Sequence, residues 1–285
     1  MFQKATKIQS RLRFAIAGPS GSGKTYSALK IGQRLGSSIA LIDTEHGSAS
    51  KYADLFDFDT APLTNHHPSQ YIELIKTAGR SDYDVIIIDS LSHAWFWELN
   101  ETGRAGNSFQ AWGSVRPLER ALIDAMLSSP AHIIATMRTK TEWVVEETTN
   151  RKGKTVATPR KVGTAPIQAS GIEYEFDLAG ELDLNHLLTI SKSRCPALAN
   201  TDHLNPGEEL ANTLLTWLSD GAPMPESAES KCQRIKEART LVGLDTGAVK
   251  TIIQAEFEGC TSPSQLSTQD CDRLVAMIES LRESA

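Results

Sequence analysis

Gly18-Pro19-Ser20-Gly21-Ser22-Gly23-Lys24-Thr25 decides how the rest of this 285-residue chain is read. The octet matches G-x-x-x-x-G-K-[ST], follows an apolar run at residues 12–17, and opens a stretch with apolar residues at helical spacing at 25–35. In that setting the glycines let successive backbone N–H groups wrap a phosphate chain, and the helix start adds partial positive charge. Lys24 neutralises the β and γ phosphates, and the Thr25 hydroxyl is a ligand for Mg²⁺. Gly18, Pro19, Ser20, Gly21, Ser22, Gly23, Lys24 and Thr25 are therefore the expected seat of ATP, with Mg²⁺ at Thr25.

Outward from this loop, strand-like runs recur at residues 39–43, 85–89 and 132–137, and helical spacing recurs at 69–78, opened by Pro68, and at 115–127. Alternation of this kind predicts an α/β fold, a mainly parallel sheet flanked by helices. Residues 142–146, 174–178 and 187–191 read as later strands, with a turn around Gly153, and a helix is expected at 207–218. Gly221-Ala222-Pro223-Met224-Pro225-Glu226-Ser227 has linker composition. This divides the chain into a core at 1–220, a linker at 221–229 and a small C-terminal helical module at 230–285. In the module, Leu274, Val275, Ile278 and Leu281 form an apolar stripe on a helix that Ser267 caps, with Asp270 at its third position.

Hydrophobic content of 40% and charged content of 22% are those of a folded globular chain. No apolar run approaches the roughly 20 residues that span a bilayer, and the first residues lack the apolar stretch of a secretion signal, so a cytoplasmic protein without membrane partners is expected. Cys195, Cys232, Cys260 and Cys271 form no Cys-x-x-Cys pair and point to neither disulfides nor zinc. A net charge of −6 excludes a chain that coats nucleic acid with its whole surface and leaves room for a local basic loop. The module carries ten acidic against seven basic residues between Glu226 and Glu283, which leaves two readings, a contact for a protein partner rather than nucleic acid or a helical cap that stabilises the core.

Val85-Ile86-Ile87-Ile88-Asp89 is an apolar strand ending in a carboxylate, about 60 residues after the phosphate loop. It resembles a Walker B motif, which places Asp89 beside Mg²⁺ through a water. Ile42-Asp43-Thr44-Glu45-His46-Gly47 is a second strand ending in a carboxylate, and here the chain resembles RecA, in which a Glu-His pair follows this strand. The resemblance gives Glu45 the role of polarising the attacking water. Ile133-Ile134-Ala135-Thr136-Met137-Arg138 is similar to the RecA strand whose polar end senses the γ-phosphate. RecA has Asn-Gln there, so the sensing role falls to Thr136, Met137 or Arg138, with Arg138 as a nucleotide contact. Lys192 and Arg194, in Leu187-Leu188-Thr189-Ile190-Ser191-Lys192-Ser193-Arg194, resemble the paired basic residues that in RecA reach the nucleotide of the neighbouring subunit. Two residues apart on a strand, they share a face.

The arrangement over residues 2–198 looks most like phage-encoded RecA-like ATPases of single-strand annealing and recombination. That resemblance implies single-stranded DNA as partner, assembly into a ring or filament, and DNA-stimulated ATP hydrolysis. Phe2-Gln3-Lys4-Ala5 has the F-x-x-A form by which some recombinases dock subunits. Arg151, Lys152, Lys154, Arg160 and Lys161 form an acid-free basic stretch where RecA-like proteins carry their second DNA loop. Trp95, Trp97, Trp112 and Trp143 lie between the Walker B strand and this stretch, and aromatic faces beside a cationic track suit sequence-tolerant single-strand binding. Two alternatives stand beside this reading: a P-loop kinase of a small molecule or nucleotide, and an ATP-gated assembly switch without significant hydrolysis.

Overall fold

The computed structural model describes residues 4–149, 155–224 and 228–283, with side chains described outside 141–163, 228–229 and 282–283. Two compact units result: Gln9–Asp220, and Gly221–Ala285 together with Met1–Ile8. In the first unit the elements are β1 (Arg13–Gly18), α1 (Lys24–Leu35), β2 (Ile39–Asp43), β3 (Asp59–Pro62), α2 (Pro68–Arg80) and β4 (Val85–Asp89). They continue with α3 (Ser92–Arg104), α4 (Phe109–Ser128), β5 (His132–Thr149), β6 (Thr155–Pro166), β7 (Leu178–Leu182), β8 (Leu187–Ser193), β9 (Asp202–Leu204) and α5 (Glu208–Ser219).

Strand order among the described residues is β3-β2-β4-β5-β1-β7-β8-β9, with β6 paired to β5. From β3 to β7 the neighbours are parallel; β8, β9 and the β5–β6 hairpin add antiparallel members. Both faces are covered, which is why β4 reads as an unbroken apolar run rather than an alternating one. Val85 and Ile87 pack with Leu29, Ile31 and Leu214 on one side, while Ile86 and Ile88 pack with Ile75, Leu122 and Met126 on the other. Each such buried side chain contributes roughly 1.5–3 kcal/mol relative to exposure.

Register brings the carboxyl ends of four strands to one edge. Asp43 lies opposite Asp89, Ile88 opposite Ala135, and Gly18 opposite Arg138. Because β5 is inserted between β4 and β1, Thr136 stands between the phosphate loop and Asp89.

Two elements differ from the sequence reading. The alternating Tyr174-Glu175-Phe176-Asp177-Leu178 is not a strand: Gly171, at φ 89°, starts a 3-10 turn over Ile172–Glu175, and β7 begins only at Leu178. Tyr174 is 71% exposed as a result. The Trp95–Trp97 segment forms α3, and the following helix begins at Phe109, six residues earlier than its apolar spacing indicates, with Ser108 accepting from the Ala111 N–H as its cap.

The second unit holds α6 (Ala228–Val242), α7 (Thr246–Glu256) and α8 (Thr268–Glu283) around Ile235, Val249, Ile253, Leu274 and Ile278. Ser267 Oγ accepts from the Asp270 N–H at 3.0 Å and donates to its carboxylate at 2.6 Å, the cap of α8. Ala222 N–H donates to the Lys7 carbonyl, which ties the described N-terminal residues into this unit.

Candidate active site

The loop after β1 is compact because glycine is required where it approaches other backbone. A Cβ on Gly18 would stand 2.5 Å from the Leu182 carbonyl oxygen, and Gly21 and Gly23 hold φ of 81° and 89° in the left-handed region. Pro19 O accepts from the Ser22 N–H at 3.3 Å and from Lys24 Nζ at 2.8 Å. No side chain caps α1, so the N–H groups of its first turn remain available for an anion. Among the described residues, Ser22 Oγ is buried without a hydrogen-bond partner. Burial lowers the Lys24 pKa, and Asp89 and Glu45 oppose that shift.

Asp89, at the end of β4, is buried and accepts two hydroxyl hydrogen bonds: Thr25 to Oδ2 at 2.6 Å and Thr136 to Oδ1 at 2.5 Å. Burial raises its pKa, while those hydrogen bonds and the charge on Lys24 favour the carboxylate. Thr25 and Asp89 together form a hard, all-oxygen donor pair of the kind Mg²⁺ takes.

Asp43 shapes the turn that carries Glu45. Its Oδ1 accepts from the Glu45 N–H at 2.6 Å and its Oδ2 from the Gly47 N–H at 2.8 Å, with His46 between them at φ 56°. Glu45 Oε1 then accepts from Arg138 Nε at 3.1 Å and Nη2 at 2.8 Å. Thr44 locks this turn to β4: its N–H donates to the Asp89 carbonyl at 2.8 Å and its hydroxyl accepts from the Ser90 N–H at 2.8 Å. His93 Nδ1 lies 2.5 Å from that hydroxyl, and its ring stacks on His66 at 4.7 Å. Burial, aided by the positive charge of Arg138, pulls the His93 pKa down to about 4.

A cavity of about 710 Å³ joins Lys24, Thr25, Asp89, Glu45 and Arg138, within the size range of small-molecule sites. Its other walls were not legible as site residues: Tyr26 and Tyr52, edge-to-face at 5.8 Å, Phe96, and His186 with Asn205 and Pro206. The glycine cradle, the uncapped helix start, the orphaned Ser22 hydroxyl and the Thr25–Asp89 pair all fit a nucleotide polyphosphate with a divalent cation.

Residues 10–204 match the AAA domain family. The chain belongs to that family. Over 84 residues this AAA-domain chain is 37% identical to Protein RecA of Streptomyces rimosus, a stretch covering 27% of this chain and 22% of that protein. It thus spans about a fifth of the length of that relative. A solved KaiC-like protein of Pyrococcus horikoshii OT3 aligns over 68% of this chain and 87% of its own, with 12% identity and a TM-score of 0.42. The AAA domain holds the phosphate loop of residues 18–25 within its mainly parallel α/β sheet, and among the described residues no helix is long and apolar enough to cross a membrane.

Lys192 and Arg194 lie away from this cavity. β8 runs antiparallel to β7, which places Lys192 opposite Ala179, itself level with Ala15 of β1. Three strand residues, on the order of 10 Å, separate that level from Gly18. Both residues turn to one place: Lys192 Nζ donates to the Tyr174 and Phe176 carbonyls, and Arg194 donates to the Tyr174 carbonyl at 3.1 Å and to the Asp177 carboxylate at 3.0 Å. Arg151, Lys152 and Lys154 lie outside the described residues, as do the side chains of Arg160 and Lys161, whose backbone pairs with Val144 and Trp143 in the AAA domain's hairpin. Trp95 and Trp112 meet at 5.7 Å with Arg116 over the Trp112 ring, and Trp97 packs edge-on to His67. Phe2 and Gln3 also lie outside the described residues.

Proposed function

We propose that this protein hydrolyses ATP, assembles with copies of itself, and binds single-stranded DNA in recombination or strand annealing, in the manner of phage-encoded RecA-like ATPases. One observation carries the hydrolytic part: a second carboxylate, Glu45, stands in the same cavity as Lys24 and the Thr25–Asp89 pair without belonging to that pair. A switch that only binds ATP has little use for such a group. A carboxylate placed there can orient water for attack.

In this reading backbone N–H groups of the loop at residues 18–25, apart from Pro19, which has none, and Lys24 bind the phosphates, and Thr25 and Asp89 hold Mg²⁺. The bound Mg²⁺ supplies positive charge to the outer phosphates. Arg138 couples two tasks, since the guanidinium that contacts the nucleotide is the one that orients Glu45. Lys192 and Arg194 sit too far from their own cavity to serve it, which favours action on the nucleotide of a neighbouring copy. The basic stretch 151–161 is assigned to the DNA backbone.

The test is ATPase rate with and without single-stranded DNA, with the assembly sized in the same samples. Stimulation by DNA together with an oligomer supports the reading; a rate indifferent to DNA and a strictly monomeric particle overturn it. Neutralising Lys152, Lys154 and Lys161 together should weaken DNA binding and flatten its salt dependence by roughly 0.7 in log–log slope per lost contact. An unchanged slope removes that segment from the DNA site.

A further inference from the structure

The β7–β8 turn reaches the phosphate loop through His186, whose Nδ1 lies 2.8 Å from the Ser22 carbonyl oxygen. A carbonyl oxygen can only accept, so Nδ1 carries the hydrogen and donates it. The imidazole also packs on the next residue: a Cβ on Gly23 would stand 3.2 Å from Nδ1 and 3.6 Å from Cε1. His186 lines the cavity, so the contact is made at the site itself.

We propose that His186 is a positioning residue that fixes the Ser22–Gly23 peptide so that the Gly23 N–H faces the bound phosphate chain, an inference resting on the nucleotide reading above. In a trans peptide, C=O and N–H point in opposite directions across one rigid plane. Holding the carbonyl outward against His186 therefore directs the N–H inward. The peptide needs holding because Gly23, at φ 89°, has no Cβ to disfavour a flip. A flipped peptide would set a carbonyl dipole against the phosphates in place of a donor.

The turn is built to keep His186 in place. His186 takes φ 61°, a left-handed value uncommon outside glycine and asparagine. Asp183 Oδ1 accepts from the Asn185 and Leu187 N–H groups at 2.8 and 2.9 Å, on either side of it. The His186 N–H donates to the Asp183 carbonyl, and its own carbonyl accepts from the Asn205 N–H at 2.8 Å.

Two substitutions in the full chain separate donor from shape. His186→Asn places an amide nitrogen as many bonds from Cα as Nδ1 and tolerates the left-handed backbone, whereas His186→Gly tolerates the backbone and has no donor. Affinity is read by titration with a fluorescent N-methylanthraniloyl-ADP in Mg²⁺, alongside thermal melting and steady-state ATPase. His186→Gly should weaken ADP binding about tenfold and raise KM by a similar factor, with kcat within about twofold, because the contact serves bound substrate and transition state alike. His186→Asn should stay within about threefold of the native affinity. Should His186→Gly fail to fold, His186→Asp replaces it, an acceptor of the same shape as asparagine, and should lose at least tenfold. Native affinity in the donorless variant, or equal losses in the asparagine and donorless variants, overturns the proposal. Failure of the unsubstituted protein to bind the ADP probe would instead sink the nucleotide reading.

Discussion

The two ends of the sheet differ in what they leave to side chains facing one another. At the amino end of β1 the Arg13 guanidinium is buried and donates to four carbonyls: Leu12 and Ala131 at 2.9 and 2.8 Å, Leu127 and Ser129 at 3.0 and 2.5 Å. Burial draws its pKa down to about 10, yet every contact is to fixed backbone. Asp84, at the same end, sees burial oppose its charge, and two N–H and two O–H donors of Ser37 and Ser38 outweigh it to lower its pKa. At the carboxyl end Asp43, Thr44 and Lys24 are also tied to backbone, but the groups facing the cavity hold one another, Glu45 with Arg138 and Asp89 with the Thr25 hydroxyl. Among the described residues the hydroxyls of Ser22 and Ser90 have no partner there. Groups bound to backbone have one arrangement. Those bound to each other across a cavity have partners that a ligand can take over, which is the mark of a site rather than a strut.

That contrast predicts loss of chemistry without loss of fold at one end and the reverse at the other. The largest effect should come from Lys24→Ala, which should abolish measurable hydrolysis and weaken ATP binding while leaving the melting temperature of the free protein within a few degrees. Circular dichroism melts and a phosphate-release assay on the same preparation check both halves. Glu45→Gln should follow, with turnover down by at least about a hundredfold and ATP affinity retained. Near-native turnover in that variant would remove Glu45 from the chemistry.

Arg13→Met tests the other end. With up to four buried carbonyls deprived of their donor, it should lose about 3 kcal/mol or more of stability in urea denaturation, while the ATPase of the folded fraction keeps its KM. A shifted KM would mean that the two ends are not separable. The smallest effect concerns pH. His132 accepts the Leu12 N–H at Nδ1, and burial, with Arg11 and Arg13 adding repulsion, depresses its pKa to about 4 from 6.5. Its contribution is complete above pH 6.5 and is lost as the pH falls towards 4, by on the order of 3 kcal/mol at most. His132→Asn keeps an acceptor and cannot take up a proton, so its urea midpoint should fall less than that of the native chain between pH 7 and 5.

Legibility followed the same division. The phosphate loop could be picked out because its parts are eight consecutive residues, and Asp89 because it ends the apolar strand β4. The apolar run before Glu45 closes two residues earlier, at Asp43, and Glu45 sits in the turn beyond it. Contacts that depend on strand order were hidden. Arg138 meets Glu45 across 93 positions and His186 meets Ser22 across 164, and no local pattern marks either encounter. Residues 174–178 misled for a simpler reason: their alternation has the period of a strand, but Gly171 had already committed the chain to a turn. The sequence reading assigns no element to residues 92–104, and they form the helix α3.

The central place of β1 also sets a timetable for synthesis. β1 is synthesised before every other strand of this sheet, yet its neighbours are β5 and β7, and the Arg13 N–H waits for the Asp177 carboxylate 164 positions later. At roughly 5–20 residues per second that interval is between about 8 and 33 s. Until β5 is made Phe14 and Ile16 belong to a strand with neither edge paired, and until β7 is made one edge stays open and Gly18 has no Leu182 carbonyl to lie against. Nucleotide can reward only a sheet that is already assembled, so the interval between synthesis of β1 and of β7 is where this sheet is most exposed to aggregation.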